Sequence, residues 1–160
     1  MIYSKNDQRE AKIYKFIEKF ILENGVSPSL NEISNGVGLP RMTTYDWLQR
    51  MSHDGKIISR KDTGRSYMLH GILYVRVKNM DRSILKPAAR MVLEFLERYI
   101  TTNRIVPSYR EVIKELDITS TSVLHNYYNQ LEKSGFIQFY GSGTSKSIIL
   151  TEYKYKKANE

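Results

Sequence analysis

Two stretches of the chain read almost alike, "GVSPSLNEI" at 25–33 and "RIVPSYREV" at 104–112. Their prolines, Pro28 and Pro107, stand 79 residues apart, about half of the 160-residue chain. Within each stretch a serine is followed three residues later by a glutamate, Ser29 by Glu32 and Ser108 by Glu111. That spacing is a capping box: the hydroxyl takes a free amide of the first helical turn while the carboxylate reaches back to the cap amide. Each proline stops a preceding helix from running through. The free amides at such starts would also suit a phosphate, but capping alone accounts for these residues.

The likeness extends in both directions. Upstream, Ile13, Phe16, Ile17, Phe20 and Ile21 lie at the spacing of one helical stripe, and Val92, Phe95, Leu96, Tyr99 and Ile100 repeat it 79 residues on. Downstream a short second helix turns Ile33 and Val37, or Val112 and Leu116, inward. A third helix follows, with Thr44, Leu48 and Met51 in the first half and Leu124, Tyr128 and Leu131 in the second. Gly55 and Gly135 close these helices at an offset of 80, so the first half has one residue fewer in the turn before its third helix. After each glycine, "KIISRKDTGRSYML" at 56–69 and "FIQFYGSGTSKSIIL" at 136–150 place polar tips between β-type residues, as hairpins do. Helix, helix, helix and hairpin make a winged helix-turn-helix, written twice. The fold class expected is mainly α with small β-wings (α+β).

At this point "PSLNEISNGVGL" and "PSYREVIKELDI", the latter with "LEKSGFIQFYGSGTSKSIIL" downstream, resemble the DNA-binding domain of LexA-type repressors, over residues 8–69 and 86–150. The first half departs from that pattern by its missing residue, by Pro40 and by Trp47. The domains expected are 1–70 and 86–150, joined by a 71–85 linker with a β-strand and followed by a basic, frayed tail at 151–160. LexA-type repressors also carry a self-cleaving serine/lysine domain. A second winged helix takes that space here, so self-cleavage is not carried over.

The resemblance implies that the third helix enters the major groove of double-stranded DNA. Matching positions give Arg41, Met42, Thr43, Tyr45 and Asp46 in the first half, and Ser120, Ser122, Val123, His125 and Asn126 in the second. Arginine suits guanine or phosphate, asparagine suits adenine, and valine covers a thymine methyl. Asp46 would read cytosine or orient Arg50. The wing cations Arg60, Lys61 and Arg65, and Lys146 with Ser142 and Thr144, suit the backbone or the minor groove. Trp47 and Tyr127 align with each other and are expected to pack against the wings.

Charge agrees with a polyanionic partner: 25 Lys and Arg oppose 17 acidic residues, with a surplus in both halves. No cysteine is available for a disulfide, a zinc-thiolate site or a nucleophile. His53, His70 and His125 lack metal-ligand spacing, and neither a catalytic triad nor a phosphate loop is evident. The expectation is therefore a binding protein without catalysis, metal or cofactor. No apolar run approaches a membrane span, and no signal peptide opens the chain, so the cytoplasm is the expected compartment. A transcriptional regulator is expected. A replication initiator of a plasmid or phage, and a protein-interaction module, are the alternatives. A homodimer stays open, with Tyr3, Tyr153 or Tyr155 as interface aromatics.

Overall fold

The computed structural model describes residues 5–60 and 64–160, and the chain divides into two compact units. One runs to Ile72 and includes Lys157–Glu160; the other is Leu73–Lys156.

The first unit consists of α1 (Lys5–Asn24), α2 (Leu30–Val37) and α3 (Arg41–His53), then strands β1 (Ile57–Ile58) and β2 (Met68–Leu69). Its core is the stripe that the periodicity predicts. Ile13, Ile17 and Ile21 of α1 are buried, as are Ile33 and Val37 of α2 and Thr44, Leu48 and Met51 of α3, with Ile57, Met68 and Leu69. Gly25 ends α1 at φ +71°, its amide bonded to the Ile21 carbonyl at 2.9 Å. The capping box is formed: the Glu32 amide donates to Ser29 Oγ, and the Glu32 carboxylate accepts the Ser29 amide at 2.8 Å. Gly38, at φ +68°, ends α2 two residues before the Pro40 cap of α3.

Among the described residues, the hairpin of this unit pairs Ile57 with Leu69 and Ile58 with Met68. Its return segment is held by side chains instead. Arg65, 8% exposed, donates to both carboxylate oxygens of Glu32 at 2.6 and 2.8 Å and to the Ser27 carbonyl at 3.0 Å. Ser27 Oγ in turn donates to the Tyr67 carbonyl at 2.7 Å. Arg65, expected among the wing cations that would meet DNA, is thus committed inside the unit. A planar guanidinium matches a carboxylate fork better than a single exposed phosphate contact would.

The second unit holds most of β3 (Ile72–Arg76), then α4 (Pro87–Asn103), α5 (Tyr109–Glu115), α6 (Thr121–Lys133), β4 (Ile137–Tyr140) and β5 (Ser147–Leu150), and most of β6 (Tyr153–Lys157). Val92, Leu96, Ile100, Val112, Leu124, Tyr128, Leu131, Phe136, Ile137, Ile148 and Leu150 make one buried cluster. The capping box recurs, with the Glu111 amide on Ser108 Oγ and the Glu111 carboxylate on the Ser108 amide at 2.8 Å. Where the first unit has Gly25 and Gly38, this one has Arg104 at φ +61° and Asp117 at φ +51°. The hairpin is longer, pairing Ile137–Tyr140 with Ser147–Leu150 over four residues.

The expected frayed tail is instead strand β6, which pairs with β3 of the linker. Tyr74 stacks on Tyr153 at 5.1 Å, and its ring lies 4.4 Å from that of Tyr155, whose hydroxyl donates to the Arg104 carbonyl at 3.1 Å. Burial pushes the hydroxyls of Tyr74 and Tyr155 well above the usual tyrosine range. These contacts engage Tyr153 and Tyr155 within the unit, where both are half-buried, and Tyr3 lies outside the described residues. Beneath the strand, Arg82 donates to Glu97 at 2.8 and 2.5 Å and to Glu152 at 2.7 Å, and the Met80 amide donates to Glu152 at 2.6 Å. Glu152 is 1% exposed, and these donors satisfy its buried carboxylate.

Burial pushes the Glu32 carboxyl up, but hydrogen bonds from Arg65 and Ser29 outweigh it and hold its pKa below the ordinary 4.5. A depressed carboxylate contributes stability that is full above its ordinary value and is lost as pH falls through its folded value. Urea unfolding between about pH 6 and pH 3 should therefore show a steeper acid loss in the native chain than in Glu32→Gln. Arg65→Ala leaves the carboxylate without its partner and should cost about 2–3 kcal/mol at neutral pH.

Candidate nucleic-acid interface

The third helices of the two units carry the residues predicted to read bases, and both begin at a cap. Ser120 caps α6, its Oγ accepting the Val123 amide at 3.3 Å. Pro40 occupies the matching place before α3 and offers no side-chain cap; Thr44 Oγ1 donates back to its carbonyl at 3.0 Å. Thr44, Leu48 and Met51, and likewise Leu124, Tyr128 and Leu131, are buried. An α-helix with one face so anchored must turn the remaining side chains outward.

On α6 those are Ser122, His125 and Asn126, all exposed, with Val123 half-buried at the edge. Among the described residues no side-chain hydrogen bond or ion pair engages Ser122, His125 or Asn126. On α3 the outward residues are Arg41, Met42, Tyr45 and Asp46, with Thr43 half-buried. Asp46 does not orient Arg50 as anticipated; the Arg50 guanidinium lies over the Trp47 ring, 5.5 Å from its centroid. Trp47 and Tyr127 are both half-buried, and Tyr127 packs on the core of its own unit.

One residue that the sequence did not single out belongs with this set. Asn31, exposed on α2, accepts the Arg41 Nε–H through Oδ1 at 3.0 Å. The short turn between α2 and α3 brings the two together across ten residues, which neither helical periodicity nor composition reveals. A guanidinium held at Nε retains its terminal nitrogens for a planar acceptor pair. Beside it Tyr67 is half-buried, and burial first, then the neighbouring Tyr45, pushes its hydroxyl above the usual range.

The wings differ. In the first unit Arg60 is half-buried, Arg65 is inside and Lys61 lies outside the described residues. In the second, Ser142 and Thr144 are exposed in the tip, and Lys146 Nζ sits 3.8 Å from the Phe139 ring centroid. Such a cation–π contact places the ammonium without neutralising it. At the starts of α2 and α5 the capping boxes occupy the amides of Ser29 and Glu32, and of Ser108 and Glu111. Among the described residues no group of three His, Cys, Asp or Glu could hold a metal ion, and no helix is long and apolar enough to cross a membrane.

The second unit has the order of elements, the capped second helix and the exposed third helix that a family comparison can test. Its sequence matches the LexA DNA binding domain over residues 82–145. Residues 82–145 form a LexA-type winged-helix domain. The chain is 36% identical over 69 residues to the LexA repressor of Moorella thermoacetica, covering 43% of this chain and 34% of that protein. It is 33% identical over 69 residues to the LexA repressor of Acetivibrio thermocellus, covering 43% and 32%. The chain therefore spans about a third of the length of the curated relatives it matches.

If Ser122, His125 and Asn126 serve something other than folding, replacing them together by alanine should leave urea stability within about 0.5 kcal/mol of the parent. Ser120→Ala, by contrast, removes a cap and should cost about 1 kcal/mol in the same measurement.

Proposed function

We propose that the protein is a sequence-specific double-stranded DNA-binding transcriptional regulator with two winged-helix heads in one chain. The match of residues 82–145 to the LexA DNA binding domain carries this reading. The first head is argued from the repeated order of helix, helix, helix and hairpin, from the second capping box, and from left-handed residues at matching places in both units. In this reading α3 and α6 each lie in a major groove. Arg41, Met42, Thr43, Tyr45 and Asp46 face one half-site, and Ser120, Ser122, Val123, His125 and Asn126 the other. Arg60, Lys61 and Lys146 meet phosphates and fix register rather than sequence. Arg65 has no part in it, being committed to Glu32. No catalysis, metal or cofactor enters, and no membrane is involved.

Because the outward faces differ at nearly every matched position, the two half-sites should be unlike. The excess of basic residues supplies the part of the affinity that does not depend on sequence.

Duplexes selected from random-sequence DNA, titrated at several salt concentrations, provide the test. Log K should fall linearly with log salt, by about 0.9 for each phosphate neutralised. Arg41→Ala and Ser122→Ala should each relax a different part of the selected site. A flat salt dependence would exclude DNA as the ligand, and two variants with unchanged affinity and specificity would exclude these helices as the readers.

A further inference from the structure

In the first unit the large hydrophobics that are exposed among the described residues lie in one small area. Among its described residues the exposed large hydrophobics are Met42, at 62%, and Tyr45, at 38%. They lie three residues apart in the first turns of α3, so they share a face of the helix. A single exposed apolar side chain needs no explanation, but here both stand on the surface that would enter the groove. The matching residues of α6, 80 positions on, are Ser122 and His125, which are polar. The difference is therefore not a demand of the scaffold, since the two helices bury the same register positions and differ here on the face turned away from the core.

Arg41 adjoins the pair, held through Nε by Asn31, and Asp46 follows it on the exposed side. The major groove offers one strongly apolar feature, the C5-methyl of thymine, while guanine offers two acceptors in line for an arginine. A thioether on a flexible stem and the edge of a phenol ring both suit a methyl group at a fixed position.

We infer that Met42 and Tyr45 are thymine-methyl readers, so that the first head specifies its half-site by apolar contact beside a guanine taken by Arg41, whereas the exposed residues of the second head, Ser122, His125 and Asn126, read by hydrogen bonds and only the half-buried Val123 is apolar. This rests on the DNA-binding reading above and assigns the specificity within it. Asn31 is then a positioning residue for Arg41.

Deoxyuridine differs from thymidine only by the missing methyl, so the test requires no change in the protein. Thymines of the duplex selected from random-sequence DNA are replaced one at a time by deoxyuridine, and the affinity of the full chain is measured. Removing a contacted methyl should weaken binding about fourfold. The sensitive positions should cluster in one half-site, and the same replacements should lose their effect in Met42→Ala or Tyr45→Ala. Both side chains are exposed, so these variants should keep the parent's unfolding curve. A selected site bound equally well with thymine or deoxyuridine overturns this assignment and leaves DNA binding standing. So does a methyl effect of undiminished size in both variants. If no sequence is enriched at all, the underlying reading fails and this one with it, and Met42 and Tyr45 are then better explained as a protein-docking patch.

Discussion

A serine hydroxyl and a glutamate carboxylate at the start of the second helix are the constraint on which each unit is built. Ser29 with Glu32, and Ser108 with Glu111, satisfy amides that would otherwise be orphaned where a helix begins against the core. Once that start is fixed, the second helix can run only seven or eight residues before a left-handed residue turns the chain. The angle at which the third helix is presented follows. Each glutamate also has a second partner, and there the units part. Glu32 takes both nitrogens of the Arg65 fork, which carries the return of a hairpin that, among the described residues, pairs two on each strand. Glu111 accepts the Tyr99 hydroxyl from the preceding helix, beside a hairpin paired over four residues. The weaker ladder is the one with the ion pair at its base.

Most of this was legible because the chain is its own comparison. An offset of 79, changing to 80, places both capping boxes, the inward stripes and the closing glycines from the sequence alone. Two turns were harder to read: Gly25 and Gly38 announce left-handed backbone, while Arg104 and Asp117 do the same work without the signal. Arg65 was misread for a general reason. A cation on a polar loop looks alike whether it is solvated or folded back, and only its distance to Glu32, 33 residues earlier, decides. The terminal strand was missed although "YKYKK" alternates in the period of a strand, because lysines at a chain end suggest fraying more loudly than alternation suggests pairing. Exposed positions of α3 and α6 were found by register, and Asn31 was not, since its role arises only across a tight turn.

The buried charges show why the LexA-type domain is larger in this chain than its matched span. Arg82 opens that span, and its carboxylate partners are Glu97 within it and Glu152 beyond it. Hydrogen bonding to Glu97, helped by the charges of both partners, holds the Arg82 pKa above its ordinary value despite desolvation. Two carboxylates bridged by the Arg82 guanidinium, with Arg76 also on Glu97, add little net stability over an apolar filling. What they supply is selectivity of pairing: without the segment that carries Glu152, Arg82 and the Met80 amide both lose an acceptor. The linker strand and the terminal strand are held to the domain by that requirement as well as by the stacked tyrosines.

The separation of roles along the third helices explains how one scaffold can present two chemistries. Positions that face the core are filled by Thr44, Leu48 and Met51 in one unit and by Leu124, Tyr128 and Leu131 in the other, and exchanging their sizes would create cavities or clashes costing a few kcal/mol. Positions that face outward bear no such penalty, so Met42 and Ser122, or Tyr45 and His125, can differ completely while the helix stays where it is. Exposed positions of these helices are free to change because they contribute almost nothing to folding. By the same logic, the wing of the first unit is not free in this way at Arg65, where a residue of the loop is also a strut of the scaffold.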